Sequence, residues 1–201
     1  VICDIDFLRL LPARHISNGM AEVIKSGVIS DQKLFEFCAS NSASILLNRD
    51  PTALKHVISS CAAIKADIVT RDPKESDLRA ILNFGHSIGH GIESIAAGEI
   101  LHGEAVSIGM VVESNLSHSL GYCSSGAIER LRSCLKLYSL PSDVPSWLSP
   151  DDILNRMSLD KKNIRNSYRI VMISEIGSVV APVPVIVNES IIRQCLSPVL
   201  A

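Results

Sequence analysis

Residues 83–104, NFGHSIGHGIESIAAGEILHGE, hold three of the six histidines, His86, His90 and His102, together with Glu93 and Glu104. The stretch reads as the end of a long helix over residues 78–97, a break at Gly98, and the start of a second helix over 103–120. His86 and His90 are four apart, so on a helix they project from one face. The break at Gly98 lets the chain fold back, which would bring His102 to the same place. Two imidazoles and a carboxylate from elsewhere would make the shell of a catalytic zinc, with one position left for substrate. An isolated HxxxH is common on amphipathic helices, but here Gly85, Gly89 and Gly91 accompany it. Each glycine inside a helix costs roughly 1 kcal/mol relative to alanine. Three together indicate that another backbone or a ligand approaches closely.

Outward from this stretch the chain reads as a series of helices. Asn18 is expected to cap a helix through AEVIKSGVI, and a second helix is expected over residues 31–47. Asp50-Pro51 is a cap followed by proline at the first helical position. Leu54, Val57, Ile58, Cys61, Ile64 and Ile68 then recur at helical spacing up to Asp72-Pro73. Gly121 stands at a helix C-cap position. Shorter helices follow at about 125–138 and from Asp151, separated by a proline-containing loop at 140–150. The texture then changes to β-branched runs, YRIVMIS and SVVAPVPVIV, with Glu175-Ile176-Gly177 as a hairpin signal, and a last helix begins at Glu189. There is no internal repeat, no βαβ alternation and no GxGxxG. The expected fold is mainly α, a multi-helix metal-binding domain with a small C-terminal β-hairpin.

Composition narrows the class. At 201 residues and 47% apolar content the chain can bury a real core, and with only 4% aromatics that core must be aliphatic. The net charge of -2 contains no long run of one sign, which argues against nucleic-acid binding through a basic face. Six scattered cysteines without CxxC argue against a disulfide framework or a thiolate zinc site and fit a reducing cytosol. No apolar run is long enough to span a membrane and no signal peptide is visible. The opening VICDIDFL reads as the end of a strand already under way, as in a piece of a longer protein with a domain upstream.

Glu22, beside Lys25 in AEVIK, is the best carboxylate to join the histidines. It reads equally as half of a plain i,i+3 surface ion pair. Arg79 lies seven residues before His86, about two helical turns and hence on the same face, with Asn83 between them. A cation there suits an anionic substrate. Lys65, Lys161 and Lys162 read as solvated charge unless they share that task. His15, His56 and His118 read as surface or helix-end residues.

LRAILNFGHSIGHGIE followed by ILHGEAVSIGM, with NGMAEVIKSG near the start and MSLDKKN near the end, resembles the 3-dehydroquinate synthase family in order and spacing over essentially the whole chain. The wording looks most like the synthase segment of the fungal pentafunctional shikimate-pathway protein. The resemblance implies an N-terminal α/β domain that binds NAD and a C-terminal helical domain, like that of iron-dependent alcohol dehydrogenases, that binds metal. Residues 1–17 would then end the upstream domain and form a linker, and residues 18–201 would be the helical metal and substrate domain.

Carried over by motif, Glu22, His86 and His102 are zinc ligands, with Co2+ as a substitute, and Glu75 and His90 match proton-transfer positions. Lys25, Lys65, Arg79, Asn83, Lys161 and Lys162 match substrate-contacting positions. Asn18, Phe7 and Leu10 match positions that touch NAD, and Asp72 an acidic position near the site. The chain departs from the family at Asp72-Pro73-Lys74-Glu75-Ser76-Asp77, where Pro73 and the missing glycines stiffen the loop. The implied reaction converts 3-deoxy-D-arabino-heptulosonate 7-phosphate to 3-dehydroquinate and phosphate: NAD oxidises a hydroxyl, phosphate leaves, NADH returns the hydride, and a carbocycle closes. A phosphorylated sugar acid as substrate and a homodimer follow from the same resemblance, beside the cytoplasmic location and the lack of a nucleic-acid or membrane partner expected from composition. The rival readings are a metal-dependent polyol or alcohol dehydrogenase of the same superfamily, and a fragment that binds metal without turnover.

Overall fold

The computed structural model describes residues 2–74, 77–159 and 167–196. Nine helices and two short antiparallel ladders make up these residues. The helices are α1 (Ala13–Ser30), α2 (Gln32–Ser40), α3 (Ser42–Leu46), α4 (Pro51–Arg71), α5 (His86–Ala96), α6 (His102–Ser119), α7 (Ser125–Leu137), α8 (Pro150–Ser158) and α9 (Glu189–Leu196). Two 3₁₀ turns, Ile5–Leu10 and Leu78–Asn83, precede α1 and α5. The mainly helical class with a small sheet is as the sequence predicts. Among the described residues no helix is long and apolar enough to cross a membrane.

The helix starts follow local chemistry. Asp31 and Asp50 accept from Leu34 N and Ala53 N at 3.1 and 2.8 Å and so cap α2 and α4. Ser124 does the same for α7 through Ala127 N, and Pro51 and Pro150 occupy first positions where no N–H is needed. Gly121, with φ +79°, closes α6.

Helix α6 is the centre of the molecule. Thirteen of its eighteen residues are buried, so it is enclosed on all sides rather than amphipathic. Its Val106, Met110 and Val111 join one apolar cluster with Ile24, Leu34, Phe84 and Leu131. Its Ala105, Ile108, Val112 and Leu116 join a second with Ile88, Ile92, Ile153 and Ile170. The serines it buries are satisfied: Ser114 and Ser117 donate to carbonyls one turn back at 2.7 Å, and Ser117 Oγ accepts from Ile173 N at 3.1 Å.

The glycine cluster has a backbone answer. A Cβ on Gly109 would stand 2.0 Å from Gly85 O, and one on Gly89 3.1 Å from Ala105 O, so α5 and α6 meet main chain against main chain. Behind that contact lies Glu113, fully buried on α6, whose Oε2 accepts from Gly85 N at 2.7 Å.

Several expected boundaries move. Residues 5–10 form a 3₁₀ turn rather than the end of a strand, started by Asp4 accepting from Asp6 N; no described strand lies beside it to complete a ladder. Helix α1 begins at Ala13 after Pro12, and Asn18 sits inside it instead of capping it. The helix expected over 31–47 breaks at Asn41, whose side chain donates to Phe37 O at 3.0 Å. The long helix expected over 78–97 is two elements. Asp72 Oδ2 accepts from Asp77 N and Arg79 N at 3.0 and 2.9 Å, holding 78–83 as a 3₁₀ turn. Gly85 at φ +78° then restarts the chain as α5. Arg79 therefore does not share a helical face with His86. The single expected hairpin is two ladders, Ser167–Ile170 with Val185–Asn188 and Ile173–Glu175 with Ser178–Val179. Gly177 N donates to Val28 O at 2.8 Å and ties the second to α1.

Two measurements check this architecture. Gly109→Ala is expected to cost about 1–3 kcal/mol or more in urea unfolding, because neither backbone can withdraw. Burial pushes the Glu113 carboxyl up from 4.5 to about 8, against three amides at the start of α5 that pull it down. Between those values the native chain holds a proton that the unfolded chain has released. Stability should therefore fall as pH rises through this window, by at most about 1.4 kcal/mol per pH unit, and Glu113→Gln should remove that part of the slope.

Candidate metal centre

Three elements meet at one point. Helix α1 is apolar on the face made by Ala21, Ile24 and Val28, all fully buried, and its packing carries Glu22 and Lys25 inward with them. The Gly85 turn makes His86 the first residue of α5, and the chain reversal at Ala97 and Gly98, both at positive φ, makes His102 the first residue of α6. Glu22 Oε1 lies 3.3 Å from His86 Nε2 and 3.6 Å from His102 Nε2. One donor atom from each of Glu22, His86 and His102 lies within 4.8 Å of the others.

The electrostatics of this point are unusual. Glu22 as a residue is half exposed, yet its Oε1 is sealed from solvent and makes no hydrogen bond. Its other oxygen accepts from Lys25 Nζ at 2.6 Å, and Lys25 is only 5% exposed. The i,i+3 ion pair of the sequence thus forms, but as an interior pair. Burial works to raise the Glu22 pKa, and its polar neighbours, the Lys25 ammonium among them, outweigh it and hold the carboxyl down to about 2. His86 Nδ1 stands 3.1 Å from Phe84 O. A carbonyl only accepts, so Nδ1 donates and Nε2 is left as a lone pair facing Glu22. A buried carboxylate oxygen without a partner costs free energy, and a cation between the three atoms would satisfy it. Carboxylate and imidazole donors suit Zn2+ or Co2+ better than Ca2+ or Mg2+.

The scaffold is clamped where these elements start. Gly103 N donates to Asn18 Oδ1 at 2.6 Å, and a Cβ on Gly103 would stand 2.0 Å from Asn18 O. Leu101 N donates to Glu104 Oε2 at 2.8 Å, and Arg14 grips both Glu104 oxygens at 2.6 and 2.8 Å and Glu99 O at 3.0 Å. The Arg14 hydrogen bond holds Glu104 below its ordinary pKa. Sequence reasoning passed over Arg14 and Glu113, whose partners lie 90 and 28 residues away. The available signal was Glu104 two residues after His102, the place of an acidic helix-capping residue.

The other candidate residues scatter around this point. His90 is exposed on α5, its ring 5.2 Å from that of His86 and 5.9 Å from that of His102. Arg79 and Asn83 belong to the 3₁₀ turn that leads into Gly85, and Lys65 is exposed on α4. Asn18, matched to a cofactor position, uses its carbonyl oxygen on Gly103. Phe7 and Leu10 are 69% and 81% exposed on the first 3₁₀ turn. Glu75, Lys161 and Lys162 lie outside the described residues.

Residues 19–163 match the family described as 3-dehydroquinate synthase C-terminal. A 3-dehydroquinate synthase of Thermodesulfovibrio yellowstonii is 45% identical over 175 residues, covering 87% of this chain and 48% of the relative. One of Xylella fastidiosa is 42% identical over 203 residues, covering 98% and 54%. The chain spans about half the length of these curated relatives. Among solved structures, the 2-epi-5-epi-valiolone synthase ValA of Streptomyces hygroscopicus subsp. jinggangensis 5008, with NAD+ and Zn2+ bound, superposes with a TM-score of 0.85 at 29% identity, over 96% of this chain and 53% of that one. A 2-deoxy-scyllo-inosose synthase complexed with carbaglucose-6-phosphate, NAD+ and Co2+ shares the fold at 22% identity, TM-score 0.82, over 92% of this chain and 53% of that one.

Zinc titration against a chromophoric chelator should show one tight site per chain. His102→Ala and Glu22→Gln should each abolish it; tight zinc in either variant would remove that residue from the ligand set.

Proposed function

Since the chain belongs to the 3-dehydroquinate synthase C-terminal family, we propose that it is the metal- and substrate-binding part of a 3-dehydroquinate synthase, a phosphorus–oxygen lyase. The protein would convert 3-deoxy-D-arabino-heptulosonate 7-phosphate to 3-dehydroquinate and phosphate, a step of the shikimate pathway. The observation that carries this reading is the unpartnered, buried Glu22 Oε1 facing two imidazole nitrogens. Identities of 42–45% with 3-dehydroquinate synthases, against 29% with the valiolone synthase, favour the heptulosonate phosphate over the substrates of related cyclases.

Glu22, His86 and His102 would hold zinc, and NAD would be held with an upstream domain that relatives of twice this length leave room for. When bound, zinc supplies Lewis acidity toward a substrate hydroxyl and NAD a hydride acceptor that is regenerated in the cycle. Lys25 occupies the second oxygen of Glu22 and thereby leaves Oε1 turned to the histidines. His90, one turn from His86 and open to solvent, is suited to pass a proton near neutral pH, and Glu75 takes a second proton-transfer position. Arg79, Lys65, Lys161 and Lys162 bind the carboxylate and phosphate of the substrate, arginine by bidentate contact and lysine as a point charge, with Asn83 beside them. Asn18, Phe7 and Leu10 face NAD, and the exposure of the two apolar side chains fits a surface that another domain covers. A homodimer in the cytoplasm completes the reading, in keeping with six free thiols.

The test is one assay on the full-length protein with zinc, NAD and the heptulosonate phosphate, following inorganic phosphate and NADH together. Phosphate release without accumulation of NADH is expected. NADH formed from simple polyols with no phosphate released would move the protein to the dehydrogenase branch.

A further inference from the structure

Glu93 stands on α5 seven residues after His86, two turns along the same face, and its Oε2 lies 3.0 Å from His102 Nδ1. His102 begins α6 and directs Nε2 toward Glu22 Oε1 at 3.6 Å. Its two ring nitrogens therefore face two carboxylates on opposite sides. Either tautomer leaves one lone pair against a carboxylate; the contact of hydrogen-bond length is the one to Glu93, 3.0 Å against 3.6 Å to Glu22, so the proton sits on Nδ1 and the Nε2 lone pair is left toward Glu22, where a cation would take it. His86 is oriented differently, by the main-chain carbonyl of Phe84, which no substitution removes.

We infer that Glu93 is a positioning residue that fixes the ring and tautomer of His102 and so sets the metal affinity of the centre. The inference rests on the zinc reading proposed above. A carboxylate behind a ligating imidazole also makes the ring a stronger donor than a neutral carbonyl does. One competing arrangement exists: donor atoms of His90, Glu93 and His102 also fall within 4.8 Å of one another, and in that set Glu93 would itself be a ligand through the Nδ1 side. Only the set with Glu22 contains a buried oxygen without a partner, and a proton held on Nδ1 excludes the other.

The experiment uses the full-length protein, unaltered and as Glu93→Ala, Glu93→Gln and His86→Ala. Zinc affinity and stoichiometry are read by chelator competition, and the His102 ring tautomer by 15N NMR of the metal-free form. Glu93→Ala should keep one zinc per chain at roughly 10–100-fold weaker affinity, with Glu93→Gln between it and the unaltered protein. The Nδ1–H signal of His102 should give way to a mixture of tautomers, while the metal-free melting temperature stays unchanged. Unchanged affinity and tautomer in Glu93→Ala overturn the inference alone. A second equivalent of zinc in the unaltered protein, lost in Glu93→Ala, also overturns it, by making Glu93 a ligand. No zinc in the unaltered protein, or undiminished zinc in His86→Ala, overturns the metal reading itself and the inference with it.

Discussion

At Gly109 the main chain of α6 lies against the carbonyl of Gly85 with no room for a methyl group, and the remaining geometry depends on that approach. It places Glu113 under the start of α5, where its carboxyl takes the Gly85 amide and fixes where the helix begins. The first residue of α5 is then His86, with Nδ1 turned to the carbonyl of Phe84 and Nε2 turned outward to α1. A second contact of the same kind, Gly103 against Asn18, sets α6 on α1. Two glycines thus fix the distances among three helices, and each helix delivers one donor to the centre.

Most of the frame obeys ordinary rules of burial; the exceptions among the described residues are Arg49 Nη1, Glu113 Oε1 behind the start of α5, and the centre itself. The buried hydroxyls of Ser114 and Ser117 reach carbonyls, and α2, α4 and α7 start on side-chain caps. At the centre a lysine is buried beside a carboxylate, and one carboxylate oxygen has no partner. An interior ion pair is a weak source of stability because desolvation offsets its attraction. Its use here is directional, since it commits one oxygen of Glu22 and leaves the other to the histidines. Local exceptions of this kind concentrate at functional sites.

Much of this was legible in the chain. The HxxxH spacing, the Gly98 reversal and the caps Asp50-Pro51 and Gly121 act over a few residues, and the structure has them where the pattern puts them. The three glycines announced a close approach, and the approaching partner is α6 at Gly85 and Gly89 and α8, through Ile153 and Met157, at Gly91. What was not legible depends on partners far along the chain. The split at Gly85 needs Asp72 on one side and Glu113 on the other, so a pattern that continues as a helix through 78–97 hides it. Asn18 resembles a cap in sequence because nothing local shows that Gly103 claims its side chain. Arg79 loses its helical alignment with His86 for the same reason. The sheet was legible as a hairpin signal, but its division in two follows from Gly177 binding Val28 and Ile173 binding Ser117.

The two apolar clusters meet along α6, and the donors straddle that seam: Glu22 comes from a helix of the first, His86 from a helix of the second, and His102 from α6, which borders both. Between Glu22 and His86 the chain runs 64 positions (86 minus 22). An ion held by all three would close that long loop in the native state alone, without any covalent bond. Loading with metal and resistance to unfolding are then one thermodynamic quantity. An ion present at a hundred times its dissociation constant would add about 2.7 kcal/mol to folding, and the chain would be sewn across the boundary between its two half-cores by the atom it would use for chemistry.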